Sequence, residues 1–189
     1  MWVGARLAGT LNPEVTNMDG NGAQTAFGYT TYIKASAEQV WQGLTDPALM
    51  KRYWRHQQAG PKAFLSDWQK GSSYDMTHDE VGLVVSGPDQ LILESDPNHR
   101  LAYTWHAITH EWAAAVGMDE STAAVWRAEP RSKVAFDIED AGHGTVKLTV
   151  THDGFALGSI GMPAISEGWP AVVSSLKTLL ETGSSLRTS

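Results

Sequence analysis

Two hydrophobic periods divide the chain after Ala26. Phe27 to Lys34, FGYTTYIK, is aromatic and β-branched and predicts a strand. Ser36 with Gln39 three residues later has the spacing of a capping box. Ala37, Val40, Trp41 and Leu44 then fall on one face of the helix that it opens. Asp46-Pro47 restarts the chain as N-cap and first helical residue of a second short helix, which carries Leu49, Met50, Tyr53 and Trp54.

Beyond this helix pair the period falls to two. Segments near 61–68, 72–78, 81–86 and 90–95, separated by Lys70-Gly71, Gly87-Pro88 and Asp96-Pro97, predict consecutive antiparallel strands. Leu101, Tyr103 and Trp105 share one face of the next strand, and His106 continues that alternation on the other. Val134, Phe136 and Ile138 alternate in the following strand. Ala141-Gly142-His143-Gly144 is a hairpin signal, and the strand after it places Val146, Leu148, Val150 and His152 on one face. Half-apolar strands of this kind predict an antiparallel sheet covered on one side.

The cover is a helical stripe of Ile165, Gly168, Trp169, Val172, Val173, Leu176, Leu179 and Leu180, with Gly183 as its natural terminator. Pro170 within the stripe predicts a start near Trp169 or a kink there. Residues 107–131 interrupt the strands with a helix-like insert carrying Trp112, Met118 and Trp126. Inserts of this length serve as lids or binding loops, or lie on the sheet as surface helices.

Composition narrows the function. At 189 residues the chain is the size of one domain, expected to span residues 27–183, with tails at 1–26 and 184–189. Met18 offers a second initiation point within the polar, Gly-rich stretch around it. No cysteine is present, which excludes disulfides, thiolate metal sites and a cysteine nucleophile, and fits a cytoplasmic location. Fourteen Lys and Arg against 21 Asp and Glu give a net charge of −7, without the electrostatic footprint of a nucleic-acid binder. No apolar run is long enough for a membrane span, and the N-terminus lacks the apolar core of a signal peptide. Eight tryptophans against four phenylalanines are the unusual feature.

The strings TTYIKASAEQVWQGLTDPALMKRYW, DPNHRLAYTW, SKVAFDIEDAGHGTVKLTVTHDGF and EGWPAVVSSLKTLLETG resemble, in order, the bacterial homologues of the heat-shock-chaperone ATPase activator domain, within the START-like (SRPBCC) superfamily. The resemblance covers roughly Phe27 to Gly183. It implies an α+β helix-grip fold, in which a curved antiparallel sheet wraps a long C-terminal helix around an interior cavity for an apolar or aromatic small molecule. Superfamily members carry such ligands, act on them, or work through protein contacts.

Candidate site residues follow from the faces. Trp54, Phe64, Trp68, Tyr103, Trp105 and Phe136 are expected to line the cavity, with Trp112 and Trp126 capping it from the insert and His152 or Tyr103 orienting the ligand. His152 is also the candidate general base of a cavity enzyme, a cyclase, dehydratase or hydrolase. Trp41 and Trp169 are assigned to helix packing. His106, His110 and Glu111 have partial metal-ligand spacing, but no third ligand completes it, so they are expected as surface residues and no metal or cofactor is expected. Glu94, Asp96, Asp137 and Glu139 are expected to face solvent. Non-enzymatic binding of a lipid-, polyketide- or flavonoid-like molecule is the leading expectation. A protein-interaction module, or a homodimer, would instead expose Trp112 and Trp126 as an apolar patch.

Overall fold

A computed structural model describes residues 15–16, 24–56 and 60–186. Of the expected tails, residues 1–14, 17–23 and 187–189, with Trp2 and Met18, lie outside the described residues. Strand β1 (Val15–Thr16) pairs with β2 (Gln24–Ile33), which begins three residues before the predicted start. Helix α1 (Ala37–Thr45) opens on the expected capping box: Ser36 Oγ accepts from Gln39 N, and Gln39 Oε1 accepts from Ser36 N. Helix α2 (Pro47–Tyr53) starts on Asp46, whose carboxylate accepts from Ala48 N and Leu49 N.

Four short strands follow: β3 (Arg55–His56), β4 (Gly60–Leu65), β5 (Asp75–His78) and β6 (Leu83–Val85). They form one antiparallel sheet in the order β3-β4-β5-β6. Then come β7 (Ile92–Asp96), β8 (Arg100–Thr104), helices α3 (His110–Ala115) and α4 (Glu120–Ala128), and strands β9 (Lys133–Asp140) and β10 (Val146–Ala156). The second antiparallel sheet runs β1-β2-β10-β9-β8-β7, and a bridge between Ser73 and Leu91 joins the two. The insert is thus a pair of helices on one strand-to-strand connection.

Helix α5 (Gly161–Thr182) lies against this curved surface, burying Ile165, Trp169, Val173, Leu176 and Leu179. It runs through Pro170 and begins eight residues before Trp169, and at 22 residues it is about 33 Å long. Its C-terminus carries Gly183 at φ 77°, as the sequence predicts. The α+β helix-grip architecture is therefore the fold of this chain.

Strand β10 explains how the site end of the sheet is aimed. Its buried positions step by two from Val146 to His152, then by three to Phe155. The register against β2 shifts between His152 and Phe155, where Gly154 adopts φ +85°. A bulge there returns Phe155 to the core face, and the left-handed backbone is one that glycine adopts without strain.

Candidate functional site

Tryptophan 169 occupies the centre of the interior. Its ring lies 5.4 Å from Trp54, 5.8 Å from Trp105 and 5.4 Å from Phe136, centroid to centroid. Trp54 meets Phe64 edge to face at 5.0 Å, Phe64 meets Tyr103 at 5.5 Å, and Trp68 reaches Tyr103 at 6.4 Å. The residues expected to line a cavity are therefore brought together, but as a ring-on-ring cluster across the space between sheet and helix. Edge-to-face pairs of this kind add about 0.5–1.5 kcal/mol each beyond the area they bury. Trp169, assigned to helix packing from its sequence, is a full member.

His152 is fully buried on β10, with both ring nitrogens engaged. The indole N–H of Trp169 donates to Nδ1 at 3.0 Å, and Nε2 lies 3.0 Å from Ser132 Oγ. An indole nitrogen can only donate, so Nδ1 is the acceptor and Nε2 carries the hydrogen that Ser132 accepts. Burial lowers the His152 pKa to about 3, so the ring is neutral. Neither nitrogen holds a free lone pair to take a proton from a bound molecule.

Lys62 was not anticipated, although its period-two relation to Phe64 on β4 was available as a signal. The side chain is buried, with Nζ 4.4 Å above the Trp54 ring, 5.3 Å from Trp105 and 5.6 Å from Phe64. Desolvation lowers its pKa to about 7, and the ring faces stabilise the ammonium that remains. Among the described residues it makes no ion pair.

His106 corrects a second expectation. It is 1% exposed, not a surface residue, because the chain leaves β8 at Thr104 and turns inward beneath the insert. Its ring lies between those of Trp105 and Trp112, tilted against each, at 4.8 Å and 4.7 Å centroid to centroid. Nδ1 lies 2.9 Å from the Ala107 carbonyl, and burial drives the pKa well below its ordinary value, helped by the nearby Lys62 charge. His110 is exposed and pairs with Glu120 at 2.8 Å, and no metal-holding group of His, Asp and Glu occurs among the described residues.

The insert folds back onto this cluster. Trp112 and Trp126 are both buried, 5.9 Å apart edge to face, so they do not form the exposed patch that a protein-interaction module would present. Amphipathic α3 and α4 turn their tryptophans inward because the sheet end offers apolar surface there. Trp126 packs on Gly161 so closely that a Cβ would overlap the indole. Glu129 accepts from Ile160 N at 2.7 Å and from Ser159 Oγ at 2.5 Å, tying the insert to the start of α5. Arg127 donates to the Ile108 carbonyl and Arg131 to the Trp105 carbonyl, while buried Gln90 accepts from Ala107 N. Residues 105–108 are thereby held in place from both sides.

Between the stems of the insert lies a cleft of about 320 Å³, lined among others by Trp105, His106, Ile108, Trp126, Pro130 and Arg131. Trp105, His106 and Trp126 join it to the aromatic cluster. The expected solvent-facing carboxylates do not line it and sit in ion pairs: Arg100 bridges Glu94 and Asp137, and Lys147 meets Glu139.

This architecture agrees with a sequence comparison. The family described as "Activator of Hsp90 ATPase homolog 1-like protein" matches residues 34–181. The chain belongs to this family. A Staphylococcus saprophyticus protein of solved structure superposes with a TM-score of 0.59 at 19% identity, covering 87% of this chain and 97% of its own. The Aha1 dimer from Colwellia psychrerythraea gives 0.57 at 21% identity, covering 84% and 97%. DynU16, a protein in the dynemicin biosynthetic locus, gives 0.58 at 17% identity, covering 86% of this chain and 49% of its own. At these identities the likeness shows the fold alone. No curated protein matches the chain at a significant level. No helix among the described residues is long and apolar enough to cross a membrane.

Proposed function

We propose that this family member binds a small, largely apolar aromatic molecule in the cleft between the insert stems, without transforming it. The observation that carries this reading is the cleft itself: about 320 Å³, lined by Trp105, His106, Ile108 and Trp126, with Arg127 and Arg131 among its polar lining. That volume is at the lower end of the range of ligand pockets, which are mostly apolar with a few polar groups. Affinity would come from burial of ligand surface against the indoles, and the aromatic cluster beneath supplies a rigid floor. The occurrence of DynU16 in a biosynthetic locus supports a small-molecule role within the same fold. The engaged nitrogens of His152 favour binding over catalysis. Calorimetric titration with naphthalene derivatives, flavonoids, polyketides and fatty acids tests the reading. Micromolar binding of an aromatic compound, lost when Trp126 is replaced by alanine, is the expected result. Heats indistinguishable from dilution across the panel would refute it.

A second reading is a protein contact beside the cleft. Val125 is 55% exposed on α4, with Leu157 and Ile160 exposed just before α5, on segments that Glu129 ties together. The dimeric Aha1 relative supports an association of this kind. Sedimentation of the protein and of Val125→Lys tests it, a dimer dissociated by the substitution being expected.

A further inference from the structure

Three neighbouring rings beside the cleft each carry a buried nitrogen without a hydrogen-bond partner: Trp105 Nε1, Trp112 Nε1 and His106 Nε2. Their rings are consecutive neighbours, with His106 4.8 Å from Trp105 and 4.7 Å from Trp112. An orphaned buried polar atom costs about 1–3 kcal/mol, and native structures contain few of them. Three in adjoining rings, two of which line the cleft, make one site.

Their chemistry is determinate. An indole N–H donates and cannot accept. His106 Nδ1 faces the Ala107 carbonyl, which can only accept, so Nδ1 carries the hydrogen. In the neutral ring imposed by burial, Nε2 is then a bare lone pair. The site therefore presents two donors and one acceptor. A hydroxyl has the reciprocal set, one O–H and two lone pairs. A carboxylate or ketone would set its own lone pairs against His106, and an ammonium would leave both indoles unanswered.

We infer that Trp105, His106 and Trp112 form a hydroxyl-recognition subsite, and that the ligand of the cleft is an aromatic molecule bearing a phenol, enol or alcohol. This rests on the reading of the cleft as a binding site. The three nitrogens are covered in this structure. Trp112 belongs to α3, the six-residue helix of the insert, so a small shift of α3 off the floor admits the hydroxyl. Trp126 and Glu129 anchor the other arm of the insert to α5 and stay in place.

The test compares 2-naphthol, 2-methoxynaphthalene, naphthalene and 2-naphthoate on the full-length protein. Calorimetry gives affinities, and ¹⁵N spectra of the indole N–H groups locate the contact. We expect 2-naphthol to bind about tenfold more tightly than its methyl ether, about the worth of the one net hydrogen bond that the ether cannot donate. The indole resonances of Trp105 and Trp112 should shift with naphthol and much less with naphthalene. In His106→Phe the naphthol and ether should bind alike while naphthalene keeps its affinity. Trp112→Phe removes a donor to the ligand oxygen, so naphthol and ether should both weaken while naphthalene keeps its affinity, and this readout serves if His106→Phe does not fold. Equal affinity of naphthol and ether in the unsubstituted protein overturns the hydroxyl subsite and leaves the cleft reading standing. Binding of none of the four overturns both. A preference that survives His106→Phe, naphthol and ether affinities that Trp112→Phe leaves unchanged, or indole resonances that naphthol does not move because an ordered water already satisfies them, overturns the subsite.

Discussion

The indole N–H of Trp169 donates to Nδ1 of His152 at 3.0 Å, and this bond selects the histidine tautomer. A helix residue and a strand residue, 17 positions apart, thereby lock the long helix to the bulged end of β10. Trp169→Phe removes the donor, leaves Nδ1 unanswered in the core and opens space among four rings. The expected loss is about 3–5 kcal/mol of unfolding free energy. Urea denaturation measures it, with Trp41→Phe on α1 as the milder comparison.

The same histidine gives a pH dependence of known sign. Its folded pKa is about 3, below the unfolded value near 6.5, so the unfolded state binds more protons between those limits. The stability is fully present above pH 6.5 and is lost as pH falls toward 3. From this one proton the slope approaches about 1.4 kcal/mol per pH unit within the window. His106, also shifted down, adds in the same direction. Urea midpoints from pH 7 to pH 4 check it, and His152→Asn should flatten the curve.

Lys62 predicts a gain. Its pKa is lowered from 10.5 to about 7, so burial of the ammonium opposes folding below pH 7, and the penalty fades as pH rises toward 10.5. Lys62→Met should stabilise the protein by about 1–4 kcal/mol at pH 6, with the advantage shrinking by pH 10. A smaller gain would measure the cation–π contribution of Trp54 and Trp105. Thermal unfolding at the two pH values separates these terms.

Two glycines of α5 should respond oppositely to alanine. At Gly161 a Cβ would overlap the Trp126 indole, so Gly161→Ala should destabilise by about 1–3 kcal/mol. At Gly168 nothing lies within 4 Å, and Gly168→Ala should stabilise by about 0.5–1 kcal/mol through helix propensity. Hydrogen exchange should show residues 107–131 loosened by the first substitution and unaffected by the second.

Glu129 joins the insert to α5 through Ser159 Oγ and Ile160 N. Glu129→Ala should therefore speed amide exchange across α4 and at the first turn of α5, with about 1–3 kcal/mol lost because two hydrogen bonds to a carboxylate disappear. Unchanged exchange at both places would show that the Trp126 packing alone holds the insert.

Local chemistry was legible because it is local. Ser36 with Gln39, Asp46-Pro47 and the left-handed Gly183 each satisfy or terminate a helix through atoms a few residues away. The alternation of Val146, Leu148, Val150 and His152 likewise set the inward face of β10. The site was read less well. Strand alternation carried past Thr104 places His106 at the surface, but the strand ends there, and the rarity of buried lysine hides Lys62 despite its period-two relation to Phe64. Trp112 and Trp126 were open between exposed and covered positions. For Trp126 the outcome depended on Gly161, about 35 residues beyond it, being small enough to receive an indole.

The eight tryptophans marked the unusual chemistry of this chain, and hydrophobic period with helix caps determined its elements and their order. Tertiary structure alone decided what the rings do. It set Trp54, Trp105 and Phe136 edge to face against Trp169, fixed the proton of His152, and left three ring nitrogens unanswered beside the cleft. Period and capping arise from backbone geometry within a few residues. Hydrogen-bond satisfaction in the core depends on which side chains meet across tens of residues, and no local pattern specifies that.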